Sequence, residues 1–345
     1  MAKPQQEKCH LVTAPVNKID TLPKAFIWRR IQSLAGLWLV IFLIEHMVTN
    51  SQAALLLGES GAGFVRMVNL LHELPYLMVL EIGLLGIPIL IHMVWGIYYL
   101  RTSKPNSMKT DGSKPYFKYS RNKAYTWQRI TSWILVVLLI LHIVKFRFLE
   151  YPDAVNEGSL HPKYLVTITM DPGLYTVTQR LNVELISPKT QEEMKTGQNQ
   201  NRQALDRAAE DIRGQASARF SQQESIILQT AQNYEEEENL TKAITKRRID
   251  QKEVIAVAPS FGTASLLAVR NTFKSWIWVG IYTVFVLSAC FHAFNGLWTS
   301  MLTWGWVIKS TAQTGARKVA ISIMIVIAFL GLASIWGTYF FNLKH

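Results

Sequence analysis

Four histidines lie inside long apolar runs of the chain: His46 in FLIEHMVTN, His92 in LIHMVWGIYY, His142 in LLILHIVKF and His292 in SACFHAFNGLW. An ionisable ring in such surroundings is expensive and needs a partner or a metal. A hydrogen bond to a neighbouring helix accounts for one such ring. Four rings, each on a different run, point to a chemistry that uses several imidazoles together. The remaining histidines, His10, His72, His161 and His345, fall outside the runs.

The elements that must carry these rings are five apolar segments, 31–49, 74–100, 130–149, 275–299 and 319–341. As helices rising about 1.5 Å per residue, they are long enough to cross roughly 30 Å of hydrocarbon. The first begins too far from the N-terminus, and is too long, to read as a cleaved signal peptide. The net charge of +12 is not spread as a nucleic-acid surface. Basic residues crowd before the first run (Lys3, Lys8, Lys18, Lys24, Arg29, Arg30), between the second and third (Arg101 to Arg129), and between the fourth and fifth (Lys309, Arg317, Lys318). Alternate loops are therefore basic. The positive-inside rule then predicts a cytoplasmic N-terminus and a C-terminus outside. Lys145, Arg147, Arg270 and Lys274, which flank the long 150–272 segment, run against that assignment, but long loops obey the rule poorly. Cys9 and Cys290 are too few for a disulfide framework or an iron–sulfur cluster on this chain.

Depth sorts the four rings. Consecutive spans run in opposite directions, and each histidine sits toward the C-terminal end of its span. His46 is 16 residues past Arg30 and His142 is 13 past Arg129, about 20–24 Å from the inner basic residues at helical rise. His92 precedes Arg101 by 9 residues, about 14 Å, and His292 approaches the same face. Two pairs at two levels suit two b-type haems, each iron held between two imidazoles and each porphyrin lying between helices. Gly96 and Gly296 stand four residues after His92 and His292, on the same helix faces, and leave room beside those rings. A zinc site would instead need four ligands converging at one level.

The stretches RRIQSLAGLWLVIFLIEHMVTN, LPYLMVLEIGLLGIPILIHMVWGIYY and FHAFNGLWTSMLTWGW resemble the di-haem cytochrome b membrane-anchor subunit, five-helix single-chain type, of succinate:quinone oxidoreductase and fumarate reductase. The resemblance covers about 24–149 and 272–341. It implies that His46 and His142 ligate the iron of a distal haem, and His92 and His292 that of a proximal haem. It implies a respiratory function linked to the tricarboxylic acid cycle, in which this chain anchors a flavoprotein (FAD) subunit and an iron–sulfur subunit. Electrons would pass through the two haem b groups to or from membrane quinone, menaquinone by the usage of the family. The dicarboxylate chemistry would belong to the flavoprotein subunit, and the complex could form oligomers. Arg30, Gln32, Ser33, Trp127 and Arg129 become candidates to receive haem propionates, with interfacial anchoring as the alternative for the Arg and Trp residues. Glu73 becomes the candidate quinone-site carboxylate, with a solvated loop acid as the equal alternative, and Glu45 and Glu81 are acids within spans that could move protons or simply bond to a neighbouring helix. The implied location is a bacterial cytoplasmic membrane.

The family has a short loop where this chain has 150–272. Within that segment, 163–181 alternates like a strand or hairpin around an Asp-Pro-Gly turn, 189–250 reads as one or two long polar helices, and 254–262 as a returning strand. The expected fold is an all-α integral membrane protein, a five-transmembrane-helix bundle with a large α+β extracytoplasmic insertion between helices 3 and 4. Its divisions are 1–149, 150–272 and 273–345. Two rival functions remain. One is a di-haem b subunit of another quinone-linked oxidoreductase. The other is a histidine-lined proton channel or transporter, which would put polar or acidic groups near the rings.

Overall fold

The computed structural model describes residues 23–54, 61–104, 106–109, 116–117, 119–159, 161–197 and 223–344. Its elements in chain order are α1 (Lys24–Ser51), α2 (Ala62–His72), α3 (Leu77–Thr102), α4 (Ser120–Leu149), β1 (Asp153–Val155), β2 (Lys163–Thr169), α5 (Leu174–Arg180), β3 (Glu184–Ile186), α6 (188–197), α7 (Gln223–Lys246), β4 (Glu253–Ala258), α8 (Phe261–Thr272), α9 (Trp276–Thr303) and α10 (Ser310–Asn342). Among the described residues five helices, α1, α3, α4, α9 and α10, are long and apolar enough to cross a membrane. At 26–33 residues each, they reach about 39–50 Å, past the hydrocarbon into the headgroup layers. In lipid a helix satisfies its own backbone, which is why these apolar sequences take that form.

The bundle is built around α1, α9 and α10, with α3 leaning on α1 and α4 on α9, while α3 and α4 barely meet. At the centre a side chain on Gly331 of α10 would come within 2.7 Å of Val286 Cγ1 and 2.8 Å of Met47 Sδ. Only a small residue lets the three helices close up there. Pro88 in α3 has no N–H to give the Leu84 carbonyl. The indole of Trp38 in α1 donates to that oxygen at 2.6 Å instead, so the break in α3 is repaired by its neighbour. A π-helical stretch, Glu81–Gly86, precedes the proline, and two more occur at Val144–Leu149 in α4 and Ala333–Gly337 in α10. By chain direction all three lie at the end of the bundle that carries the sheet, called here the sheet end.

The sheet is four-stranded and antiparallel, in the order β1-β2-β4-β3. Leu165 of β2 faces Val257 of β4 and Ile168 faces Val254. Alternation in KYLVTIT and EVIAVA gives each strand two apolar faces. Tyr164, Val166, Ile168, Val254, Ala256 and Ala258 pack on Ala264, Leu267 and Ala268 of α8. Leu165, Ile255 and Val257 pack on Ile186 and on Ile244 of α7. Both faces are thus covered.

The structure corrects one expected element. Alternation over 163–181 suggested a strand or hairpin; its first part is the strand β2, and the rest forms no second strand. After Thr169 the chain turns at Asp171, whose Oδ1 accepts from the Gly173 N–H at 3.0 Å, and continues as helix α5 with Leu174 and Thr178 buried. Those two are four residues apart, a helical spacing that the alternating pattern hid. The polar region expected to be helical holds α6 and α7, while 198–222 lies outside the described residues. The returning strand is β4, and it ends at Ala258.

Neither α2 nor α8 was anticipated. Ser260 caps α8, its Oγ accepting from the Thr263 N–H. Asn69 of α2 donates to that same Oγ at 3.1 Å and accepts from the Gly262 N–H at 2.7 Å. The helices cross so closely that a side chain on Gly262 would meet the Val65 carbonyl oxygen at 2.5 Å. Behind this contact Asp171 binds both Arg270, through two bonds of 2.6 Å, and Lys274 at 2.7 Å. Asn342 of α10 donates to the Arg270 carbonyl at 3.0 Å. The sheet is in this way fastened to the end of the bundle.

Candidate functional site

The four histidines of the apolar runs meet in two couples. His46 of α1 and His142 of α4 have ring centres 5.9 Å apart with planes at 82°. His92 of α3 and His292 of α9 have centres 6.1 Å apart with planes at 85°. The first couple lies toward the sheet end and the second toward the opposite end. Among the described residues no three His, Cys, Asp or Glu side chains gather around one point, so the donors come in twos.

In every ring the Nδ1 atom has a polar neighbour. His92 Nδ1 is 3.2 Å from the Gln32 carbonyl. A carbonyl only accepts, so this nitrogen carries the proton and Nε2 keeps its lone pair. His292 Nδ1 is 3.3 Å from Ser132 Oγ. That hydroxyl already donates to the Gln128 carbonyl at 2.6 Å, so it too accepts from the ring. His142 Nδ1 lies 3.2 Å from the Tyr282 hydroxyl. His46 Nδ1 is 3.4 Å from Asn50 Nδ2, which donates to the His46 carbonyl at 2.8 Å. Ser132, Tyr282 and Asn50 were missed because the sequence neighbours of the rings are Leu, Ile, Phe and Val. The polar partners come from facing helices or from the next turn. A signal was present in retrospect, since Ser132 and Tyr282 are polar residues inside apolar runs.

Gly96 and Gly296 each face a glutamine of a neighbouring helix. A side chain on Gly96 would approach Gln32 Nε2 at 3.8 Å, and one on Gly296 would approach Gln128 Nε2 at 3.8 Å. The matching distances reflect a repeated device, a glutamine of one helix lying over a glycine of its partner. Gln128 was not singled out in the sequence. It donates to the His292 carbonyl at 3.1 Å and accepts from Asn295 at 2.8 Å. Gly36 was also missed, although any side chain there would strike His92 Cε1 at 2.8 Å.

The residues considered for propionates are scattered. Gln32 borders the His92 ring through its carbonyl. Ser33 accepts from the Trp304 indole at 3.1 Å. Arg30 lies over the rings of Phe26, at 4.2 Å, and Trp304, at 5.4 Å. Arg129 donates to Ser103 Oγ and to the Tyr125 carbonyl. Trp127 is 55% exposed and sits on the outside of the bundle, as an interfacial anchor does. Of the acids, Glu45 accepts from Thr49 at 2.7 Å, and Glu81 pairs with Arg147 at 2.8 Å, joining the π-helical stretches of α3 and α4. Glu73 caps the C-terminus of α2 and is exposed at the sheet end. Beside it the His72 ring stacks on Phe261, with centres 3.9 Å apart. Burial pushes the His72 imidazole below its ordinary range, against the opposing charges of Glu157 and Glu73. A cavity of about 310 Å³ opens where α4 meets the sheet, lined by Phe148, Leu149, Tyr151, Arg247, Arg248 and Asn271 among others.

The chain is similar to a succinate dehydrogenase cytochrome b558 subunit. That relative, from Bacillus subtilis (strain 168), is 31% identical over 125 residues, which cover 36% of this chain and 56% of the relative. The chain thus spans a little over half the length of the curated relative it matches. No protein-family model matches the chain, and no solved structure matches it. Five apolar helices together with this similarity indicate a multi-pass membrane protein.

Proposed function

We propose that this chain is the cytochrome b subunit of a succinate:quinone oxidoreductase, binding one haem b between His46 and His142 and a second between His92 and His292. The ring geometry carries the reading. Two imidazoles on opposite sides of one metal, each nitrogen about 2 Å from it, have centres roughly 6 Å apart. The two couples measure 5.9 and 6.1 Å, and the thin contact between α3 and α4 leaves width for a flat group. The bound haems would supply reversible one-electron chemistry.

The protein's own part is to present Nε2 lone pairs at His92 and His292, exclude water and hold the couples at two depths. Gln32 and Ser132 fix the His92 and His292 tautomers by accepting from Nδ1. Gln128, Arg30 and Arg129 lie at the same end as that couple and are the groups available to propionates. The orientation inferred from basic loops has the sheet outside a bacterial cytoplasmic membrane. The His92–His292 couple then lies near the flavoprotein and iron–sulfur subunits, and the His46–His142 couple near an outer quinone, menaquinone in this reading. The relative's name favours succinate chemistry over another quinone-linked oxidoreductase. Polar groups do touch the rings, as a proton relay requires, but the contacts are at Nδ1 in all four.

The purified protein, reduced with dithionite, is expected to show the visible α-band of b haem, with two haems per chain by pyridine haemochrome. A colourless preparation after expression with haem precursor would overturn the proposal. Glu73→Gln is expected to slow quinone turnover while leaving haem content intact. Unchanged turnover and inhibitor binding would remove Glu73 from the quinone site.

A further inference from the structure

We infer that Tyr282 is the positioning residue for His142, and that the inserted segment holds it in place. This rests on the two-haem reading and adds to it a role for α8 and for a phenol that no sequence motif marked. Tyr282 lies on α9 and is 6% exposed. Its hydroxyl is 3.2 Å from His142 Nδ1 on α4, so the bond crosses between two helices. A hydroxyl can donate or accept. A metal-bound imidazole with Nε2 on the metal carries its proton on Nδ1, and the phenol then accepts. Such a bond fixes the ring's rotation and raises the basicity of the ligand.

The phenol is itself caged. Phe146 and Phe285 contact both rings, with centres 5.4 and 5.6 Å from His142 and 6.1 and 6.0 Å from Tyr282. Phe273 meets Tyr282 edge-on, centres 5.3 Å apart and planes at 88°. Phe273 is the C-cap of α8, the helix that packs on the sheet and is locked to α2 by Asn69. It is 5% exposed and belongs to the same apolar cluster as Leu266, Val269 and Met47. The segment between α4 and α9 thus reaches the His142 ring through two intermediaries: α8 sets Phe273, Phe273 braces Tyr282, and Tyr282 orients His142.

The test is a redox titration of the full complex, with wild type beside Tyr282→Phe and Ser132→Ala. Two b components in wild type support the underlying reading, and one or none would defeat that reading whatever the variants do. Given two, Tyr282→Phe is expected to move one component to higher potential, because the ligand loses an acceptor and binds the oxidised iron less well. Ser132→Ala is expected to move the other component. The low-spin EPR signal of the moved component should shift with it, and its haem should be lost to competing apomyoglobin about 10–100-fold more readily. A Tyr282→Phe complex whose two potentials and EPR signals equal wild type would overturn the inference and leave the reading standing. If Tyr282→Phe does not assemble, Phe273→Leu provides the second arm. It should move the same component, and an unchanged titration would overturn the inference as well.

Discussion

His92→Ala or His292→Ala is expected to leave a folded protein with one b component out of two. The couple at that end has no other donor near it, since the described residues gather no third His, Cys, Asp or Glu side chain there. An alanine therefore removes one of the couple's two imidazoles with no replacement. The surviving couple should be little affected. It is built from α1 and α4, it lies at the other end of the bundle, and distant sites with no shared partners behave additively. Haem content should fall by half, and the redox titration should collapse from two steps to one. His46→Ala or His142→Ala should remove the complementary step. If any single substitution abolished both components while the protein remained folded, the two-couple arrangement would be wrong.

Asp171→Asn is expected to be the most destabilising change in the inserted segment. Burial alone would raise the Asp171 carboxyl, but hydrogen bonds from Arg270 and Lys274, with the charges of both, pull it down to about 2. The carboxylate is 12% exposed and its partners 10% and 17%. Neutralising it leaves two nearly buried cations side by side. Breaking one partner out of such a set costs about 3–5 kcal/mol, or roughly 10 °C in unfolding temperature for a domain of this size. Differential scanning fluorimetry on the detergent-solubilised protein would read it. A change within error would mean that the ion pairs contribute little. The pH dependence has a definite sign. The folded carboxyl titrates below its unfolded value of about 3.9, so its contribution is present above that value and is lost as pH falls toward about 2. Between pH 5 and 8 this group should not change the stability.

The spans were legible because a membrane helix must be apolar along its whole length, a signal that no single residue can blur. The histidine couples were legible for a related reason. Ionisable residues are rare in such runs, so each of His46, His92, His142 and His292 stood out, and helix direction alone sorted them by depth. What surrounds the rings could not be read in the same way. Gln128 lies in a polar helix start where glutamine is unremarkable, and its approach to Gly296 depends on how α4 packs against α9. Tyr282 reaches His142 across 140 residues of chain. The segment between α4 and α9 was the least readable part. LYTVTQR has β-prone residues and forms a helix because Leu174 and Thr178 find burial against the sheet, a tertiary effect that overrides local preference. The helices α2 and α8 were overlooked because a short apolar run between strands and spans carries no period long enough to distinguish it.

Pro88 gives this architecture an expected order of assembly. As the chain emerges, α3 arrives in the lipid with the Leu84 carbonyl bare, and an unmet oxygen there costs several kcal/mol. Trp38, already inserted on α1, is the group that relieves it, so the first two membrane crossings are driven to associate early, as a hairpin. His92 would by then rest against Gln32 and Gly36, waiting for a ring that has still to be synthesised two hundred residues later.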